Sequence, residues 1–432
     1  MSLLFEEFPP VSTADWEAQI ARDLKGRDPK TLVTKTADGI EIKPFYRSED
    51  LAGIASEELY SSNAWKICCE VTDAASAQYA VSRGATALYI EKGGLKFENV
   101  EVIRGDSPDL FQVQGETAAE ELASVLRRQS AKAVMFPVGP DYFLEIAKFR
   151  AARLLWKRIS NKRIQIYART SKRNQTIYDP YVNLLRGTTE AMSAIIGGCD
   201  LLIVRPFDAA YDHPAEFSRR MSINTQLILR DEAYFDRMPD PAAGCWYIES
   251  LADQLAKKAW DLFGGGAKPF GKKRPPAFVG VNRYVDAQDR ALDRLKVAPD
   301  EHRDPWSIEK LRLATERHAQ ATGRTPLVFL LRAGDRKMSR ARADFSANFF
   351  AAAGFVIAEG DLDALKQQHP DLVVLCSSDP EYPGLVQELG ASIHVPLIIA
   401  GTPPPGFPDS ISIRSNQAET LAAWQRKLGI LQ

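Results

Sequence analysis

Between residues 163 and 204 the hydrophobic pattern changes period twice, and the rest of the chain is read outward from there. Arg163-Ile164-Gln165-Ile166-Tyr167-Ala168 reads as a strand. Val182, Leu185, Thr189, Met192 and Ile196 then recur three and four apart, one stripe of a helix. Asp179 is the expected N-cap, and Pro180 suits the first helical position, where its missing N–H costs nothing. Gly197-Gly198 ends the helix, and Leu201-Leu202-Ile203-Val204 reads as a strand buried on both faces. Strand, helix and strand in that order make a βαβ unit, hence a parallel sheet.

The same alternation extends both ways. Upstream, strands are expected at 65–71, 87–90, 100–103, 110–113 and 133–138, with helices near 73–83, around Leu122, Val125 and Leu126, and over 143–156. Downstream, helices are expected at 217–229 and 250–263. About 200 residues of repeated βα units fit a TIM-type (β/α)8 barrel, in full or reduced form, better than a doubly wound sheet. Whichever alternate set faces inward (Met135, or Val134 and Phe136; Ile164 and Ile166, or Tyr167; Leu201 and Ile203, or Leu202 and Val204), it is bulky, so a filled barrel interior is expected. A fresh αβ series follows, with strands at 327–331, 355–357, 371–376 and 396–400 and a helix over 341–353, which reads as a flavodoxin-like domain. The resulting division is an N-terminal arm (1–35), a barrel (36–276), a linker with a helix near 307–321 (277–325) and a C-terminal domain (326–432). In the arm, Ser12 or Thr13 caps a short helix striped by Trp16, Ile20 and Leu24, and an Asp38-Gly39 turn follows.

Composition narrows the partners. The chain has 432 residues, 45% hydrophobic, 26% charged, with net charge −1. Near neutrality argues against nucleic acid or an anionic membrane surface as partner. No apolar run is long enough to span a bilayer, and the acidic start is unlike a signal peptide, so a cytoplasmic location is expected. Five cysteines, odd in number and irregularly spaced, suit reduced thiols.

Several stretches, in order, resemble the methylmalonyl-CoA mutase family. They are the segment 39–46, the helix Glu145-Ile146-Ala147-Lys148-Phe149-Arg150-Ala151-Ala152-Arg153-Leu154-Leu155-Trp156, the 179–198 helix, Phe217-Ser218-Arg219-Arg220 with Asn224-Thr225-Gln226, Asp240-Pro241-Ala242-Ala243-Gly244, and Val279-Gly280-Val281-Asn282-Arg283-Tyr284. The resemblance implies a barrel that takes an acyl-CoA and a flavodoxin-like domain of the kind that holds adenosylcobalamin. In catalytic members an Asp-x-His-x-x-Gly loop supplies the cobalt's axial imidazole. The corresponding loop here carries Asp335, Lys337, Met338 and Arg340, and the five histidines (His213, His302, His318, His369, His394) all lie elsewhere. A lysine is a poor replacement, being protonated near neutral pH. The family's acid/base histidine falls at Gln112, and an amide cannot shuttle a proton. The Pro-Gly…Arg-Gly loop expected between Tyr46 and Trp65 is also missing.

Three failed requirements point to the small, non-catalytic subunit of a heterodimeric mutase. The expected partner is a larger cobalamin-binding subunit, with no cofactor or metal in this chain and a homodimer open to it when isolated. The alternatives are an active isomerase using other residues and a stand-alone acyl-CoA-binding protein. Arg169, Lys172 and Arg173, after a strand, are candidates to grip CoA phosphates or the partner. Asp208 and Ser377-Ser378-Asp379-Pro380 read as turns, and the prolines of Gly401-Thr402-Pro403-Pro404-Pro405-Gly406 remove the donors a phosphate cradle needs. A helix as short as the arm's must dock on its own domain or on another subunit; in the family the arm reaches the other subunit, and Phe5, Phe8, Trp16, Ile20 and Leu24 would be its apolar contacts.

Overall fold

The computed structural model describes residues 11–54, 59–160, 162–266, 277–389, 393–407 and 409–431. The chain forms two compact units. One comprises Met1–Ser171, Gly187–Arg205 and Glu216–Pro275, the other Lys172–Arg186, Pro206–Ala215 and Pro276–Gln432. The arm residues Phe5 and Phe8 lie outside the described residues.

In the first unit, β1 (Thr34–Lys35) and β2 (Glu41–Ile42) form a small antiparallel hairpin. Its Asp-Gly turn uses Gly39 at φ +72°. The buried Asp38 carboxylate accepts from the Ala119 N–H at 2.8 Å, in the first turn of the helix Ala118–Leu126. The turn residue therefore also satisfies an orphan donor at a helix end.

Seven parallel strands follow: β3 (Lys66–Glu70), β4 (Ala87–Ile90), β5 (Glu101–Arg104), β6 (Leu110–Gln112), β7 (Ala133–Val138), β8 (Gln165–Thr170) and β9 (Leu201–Ile203). Their order is β5-β4-β3-β9-β8-β7-β6. Among the described residues this sheet has seven strands, not eight, and the two edges, β5 and β6, are consecutive in the chain. The linker between them is only five residues, 105–109, too short for the crossover helix of another βα unit.

One face of the sheet forms its own cluster of Cys68, Ala87, Tyr89, Ile103, Leu110, Ala133, Met135, Tyr167, Leu201 and Ile203, with no helical residue in it. Such a face buries itself only if the sheet curls, and the result is a half-barrel whose inner face is filled. The opposite face presents Ile67, Leu88, Val134, Phe136, Ile166, Leu202 and Val204, which pack with helical residues including Ile146, Phe149, Ala191, Ile195, Leu251 and Leu255. Each such aliphatic or aromatic burial is worth about 1.5–3 kcal/mol.

The helix Val182–Ile196 begins later than its sequence signals suggest and buries a different face. Asp179 is not its N-cap: it sits at φ +45°, three residues before the helix. Its side chain lies where a Cβ on Gly280 would be, which makes glycine necessary there. Leu185, from the expected apolar stripe, is 67% exposed, whereas Asn183, Gly187, Glu190, Ala191, Ala194 and Ile195 are buried. Small side chains let the helix lie close to the sheet: a Cβ on Gly187 would be 3.5 Å from Val204. The glycine pair does end the helix, with Gly198 at φ +83° and its N–H donating to Ile195 O at 2.9 Å.

Two charged groups on the helix Tyr142–Ile159 are buried with their partners. Lys148 Nζ donates to Glu121 at 2.7 Å and to Pro137 O at 2.8 Å, and forms an ion pair with Glu145 at 2.5 Å. Arg150 bonds Asp240 and, at 2.6 Å, Glu249. Asp240 also accepts from the Leu59 N–H at 2.8 Å. The Asp-Pro-Ala-Ala-Gly stretch thus contributes a buried ion pair that joins distant parts of this unit.

The second unit holds β10 (Leu327–Arg332), β11 (Val356–Gly360), β12 (Leu372–Cys376), β13 (Leu397–Ala400) and β14 (Ser410–Ile411). All are parallel, in the order β11-β10-β12-β13-β14, the 2-1-3-4-5 order of flavodoxin-like sheets. Residues 277–325 contribute Phe278, Val281, Ala291, Ile308, Leu311 and Leu313 to this unit's core. Tyr178 is buried here, its hydroxyl 3.0 Å from Glu316 and its ring 4.1 Å from the Arg312 guanidinium. The helix expected at 341–353 starts earlier, at Arg336, because Asp335 caps it.

Candidate functional site

Parallel strands deliver their C-terminal ends to one rim, where ligands bind in folds of this kind. In the first unit Glu70 ends β3, Glu91 follows β4, Gln112 ends β6, Arg169 and Thr170 end β8, and Arg205 follows β9. Tyr89 rises from the inner face beneath them. Arg169 donates to Glu70 at 2.7 Å, to Glu91 at 3.2 Å and to the Tyr89 hydroxyl at 3.4 Å, and its guanidinium lies 4.7 Å from the Tyr89 ring centre. Arg205 reaches Glu70 at 3.5 Å and Thr170 O at 2.9 Å. Gln112 Nε2 lies 3.1 Å from Gly105 O, 3.2 Å from the Tyr89 hydroxyl and 3.3 Å from Glu91.

The electrostatics of this cluster are balanced from within. Burial works against ionisation of Glu70, yet the charges of Arg169 and Arg205 outweigh it and hold the carboxyl below its ordinary value. Burial likewise opposes ionisation of Glu91, and the Tyr89 hydroxyl and Gln112 amide overcome it. Burial pushes the Tyr89 phenol up. Burial, then the neighbouring Arg169 charge, brings Arg205 down to about 10. These groups hold fixed charge at neutral pH.

The structure therefore brings two of the sequence candidates, Gln112 and Arg169, onto the same partners. Lys172 and Arg173 belong to the second unit: Lys172 is exposed, and Arg173 pairs with Asp304 at 2.8 Å. The three cations do not form a single grip within either unit. Asp208 lies in a turn, its carbonyl accepting from the Tyr211 and Asp212 N–H groups at 3.0 and 2.9 Å. Sequence reasoning missed Glu70, Tyr89, Glu91 and Arg205. The usable signal was position, since Glu70, Glu91 and Arg205 are charged residues at or just after the C-terminal ends of expected strands.

In the second unit, the loop matched to the cobalamin ligand runs into the first turn of the helix Arg336–Ala351. Asp335 accepts from the Met338 N–H at 2.7 Å as the helix N-cap. Lys337, Met338 and Arg340 are exposed, and Arg340 pairs with Asp344 at 3.1 Å. The residues present do not fit adenosylcobalamin held through an axial imidazole: the loop has no histidine, and its carboxylate is committed to the helix. Among the described residues no cluster of three or more metal-ligating side chains occurs, and no helix is long and apolar enough to cross a membrane.

Residues 130–265, running from just before β7 through the helix Trp246–Phe263 and including Arg169 and Arg205, match the family described as methylmalonyl-CoA mutase. The chain is 35% identical to the methylmalonyl-CoA mutase small subunit of Porphyromonas gingivalis, over 72% of this chain and 59% of that protein. It is 33% identical to the small subunit of Streptomyces virginiae, over 57% of this chain and 48% of the relative. It is also 36% identical to the methylmalonyl-CoA mutase of Rhizobium meliloti, over 38% of this chain and 28% of that one. The chain thus spans roughly half to three-fifths of the length of these small subunits. By the matched stretch and the small-subunit relatives together, the chain belongs to the methylmalonyl-CoA mutase family.

Proposed function

We propose that this chain is the small, non-catalytic subunit of a heterodimeric, adenosylcobalamin-dependent methylmalonyl-CoA mutase. Its role is to scaffold a larger subunit that holds the cofactor and interconverts methylmalonyl-CoA and succinyl-CoA, a cytoplasmic step of propionate metabolism. The observation that carries the reading is Gln112. At the rim, where the resemblance puts the family's acid/base histidine, this chain has an amide, and Gly105 O, the Tyr89 hydroxyl and Glu91 surround it. An amide in that setting holds structure and moves no proton. The degenerate loop at Asp335, Lys337, Met338 and Arg340 supports the same reading, as do the small-subunit names of the relatives. Arg169 serves here as a structural cation of the rim, and Lys172 and Arg173 remain candidates for contact with the partner or with CoA.

The test uses the full chain alone and co-expressed with a longer mutase chain that retains the Asp-x-His-x-x-Gly loop. Alone, it is expected to leave the visible spectrum of added adenosylcobalamin unchanged and to turn over no methylmalonyl-CoA. Co-expressed, the two chains should purify together and be active. Turnover by this chain alone, or a stoichiometric spectral change on adding the cofactor to it, would overturn the proposal.

A further inference from the structure

In a 2-1-3-4-5 sheet the chain leaves the first and third strands toward opposite sides, and ligands of such folds bind in the crevice at their C-terminal ends. Here those strands are β10 and β12, and the crevice lies between the loop Ala333-Gly334-Asp335 and the loop Ser377-Ser378. A carboxylate of the chain itself, Glu381, sits in it. Glu381 Oε2 accepts from the Ser377 and Ser378 hydroxyls, each at 2.6 Å, and from the Ser378 N–H at 3.2 Å. The Asp335 N–H lies 3.1 Å from both carboxylate oxygens.

Part of this is an ordinary capping arrangement, because Ser378 and Glu381 have the S-x-x-E spacing. The remainder is not. Ser377 is outside that motif, and Asp335 belongs to the loop of another strand, so the carboxylate is held from two sides of the crevice. Gly334, at φ +68°, makes room for it: a Cβ there would stand 2.5 Å from Glu381 Oε2 and 2.6 Å from the Ser377 hydroxyl. The floor is fixed by the buried Tyr382, whose hydroxyl accepts from the Ser377 N–H at 3.1 Å and lies 2.5 Å from Ala400 O. The two serine hydroxyls, followed by the Asp335 N–H, hold the Glu381 carboxyl down to about 2, so it is an anion at any physiological pH.

We propose that this crevice is an oxyanion-binding site, built to take a small carboxylate or phosphate, and that the chain keeps it filled with its own Glu381 as an internal ligand. The donor set of two hydroxyls and two backbone N–H groups suits an oxyanion. In the native chain Glu381 excludes an external one. The inference concerns donors within this unit and stands whether or not the chain has a mutase partner.

The experiment compares the native full chain with Glu381→Ala, each melted in sodium acetate, in inorganic phosphate and in sodium chloride at matched ionic strength. Glu381→Ala is expected to melt lower and to recover saturably with acetate or phosphate but not with chloride. At tenfold excess over the dissociation constant the recovery amounts to about a tenfold shift of the unfolding equilibrium. The native chain should respond to the three salts alike. Equal responses of variant and native chain, or anion-specific stabilisation of the native chain, would overturn the proposal. Should Glu381→Ala not fold, Glu381→Gln keeps the volume and removes the charge. Hydrogen exchange of peptides spanning 333–339 and 377–382 should then rise at least tenfold, and unchanged protection counts against an internally held anion.

Discussion

The side-chain amide of Gln112, at the end of β6, lies 3.1 Å from the carbonyl of Gly105, just after β5. These are the two edge strands, which pair with each other nowhere, so a side chain makes the bridge that a backbone ladder does not. Gly105 is confined by the same contact: a Cβ there would stand 3.0 Å from Gln112 Nε2 and 2.8 Å from Glu91 O. Gln112→Leu retains the bulk and removes the bridge. It is expected to cost about 1–3 kcal/mol of stability, from the lost hydrogen bonds and the acceptors left behind. Urea unfolding checks this, and a change within about 0.5 kcal/mol would show that the seam does not depend on Gln112.

Arg169 and Glu70 make a second, separable prediction. Arg169 is nearly buried and faces Glu70 and Glu91, so removing its charge strands two carboxylates. Arg169→Met should destabilise the chain by about 1–3 kcal/mol, less than a fully buried pair costs, because Glu70 and Glu91 keep access to water and Glu70 keeps Arg205. Glu70→Gln in that background should recover part of the loss, which a double-mutant cycle in denaturant would measure. Additive effects would mean the two groups do not act as a pair. Because Glu70 is held below its ordinary value, its contribution is present above the unfolded carboxyl's titration and fades only as pH falls through the lower folded value.

Much of this was legible in the chain, and the failures share a physical cause. Strands of the parallel sheets are continuous apolar runs, and they lie within a residue or two of their expected places, as at β8, β9, β12 and β13. The helix Val182–Ile196 was located by its pattern, but its buried face was not, because that face is made of Asn183, Gly187, Glu190, Ala191 and Ala194. Close packing selects small residues and internally bonded polar ones, and a search for apolar periodicity passes over both. The short strand β14 and the helix Gln417–Lys427 lacked a strong apolar signal altogether. At the rim, Gln112 and Arg169 stood out by chemistry, whereas Glu70, Glu91 and Arg205 become visible only when parallel strands bring their ends together.

The buried Lys148 is flanked by two carboxylates, Glu121 and Glu145, and this imbalance makes stability pH-dependent. Burial, with the Glu145 charge adding to it against the opposing pull of Lys148, raises Glu121 from 4.5 to about 7. Between those values the folded chain holds a proton that the unfolded chain has released. Stability is therefore expected to fall as pH rises from about 4.5 to about 7, by roughly 3 kcal/mol at most, at about 1.4 kcal/mol per unit. Glu121→Gln should flatten that slope and leave Lys148 paired with Glu145 alone. Melting temperatures of both forms from pH 5 to pH 8 decide it, and the same slope in the variant would assign the dependence to another group.

The N-terminal helix Thr13–Asp23 buries none of its residues, although Ser12 and Asp15 close a capping box at its start. Its aromatic, Trp16, is 48% exposed and stacks on Phe45 with ring centres 5.5 Å apart. The helix is further tied to its own unit by Thr13 Oγ1 donating to Glu49 at 2.8 Å and Arg47 donating to Val11 O at 2.6 Å. A half-exposed tryptophan presented on a docked helix is the kind of residue that anchors an interface. Within the isolated chain its loss removes one stacking contact, worth about 0.5–1.5 kcal/mol. If the arm engages the proposed larger subunit, truncation should instead cost about 2 kcal/mol or more of association. Trp16→Ala should then lower the melting temperature of the isolated chain only slightly while weakening binding to the larger subunit roughly 30-fold, at about 1.4 kcal/mol per decade. Calorimetry on the isolated chain and titration of the labelled partner separate the two effects. A large drop in melting temperature with unchanged partner affinity would place Trp16 in the chain's own folding core and remove the arm from the interface.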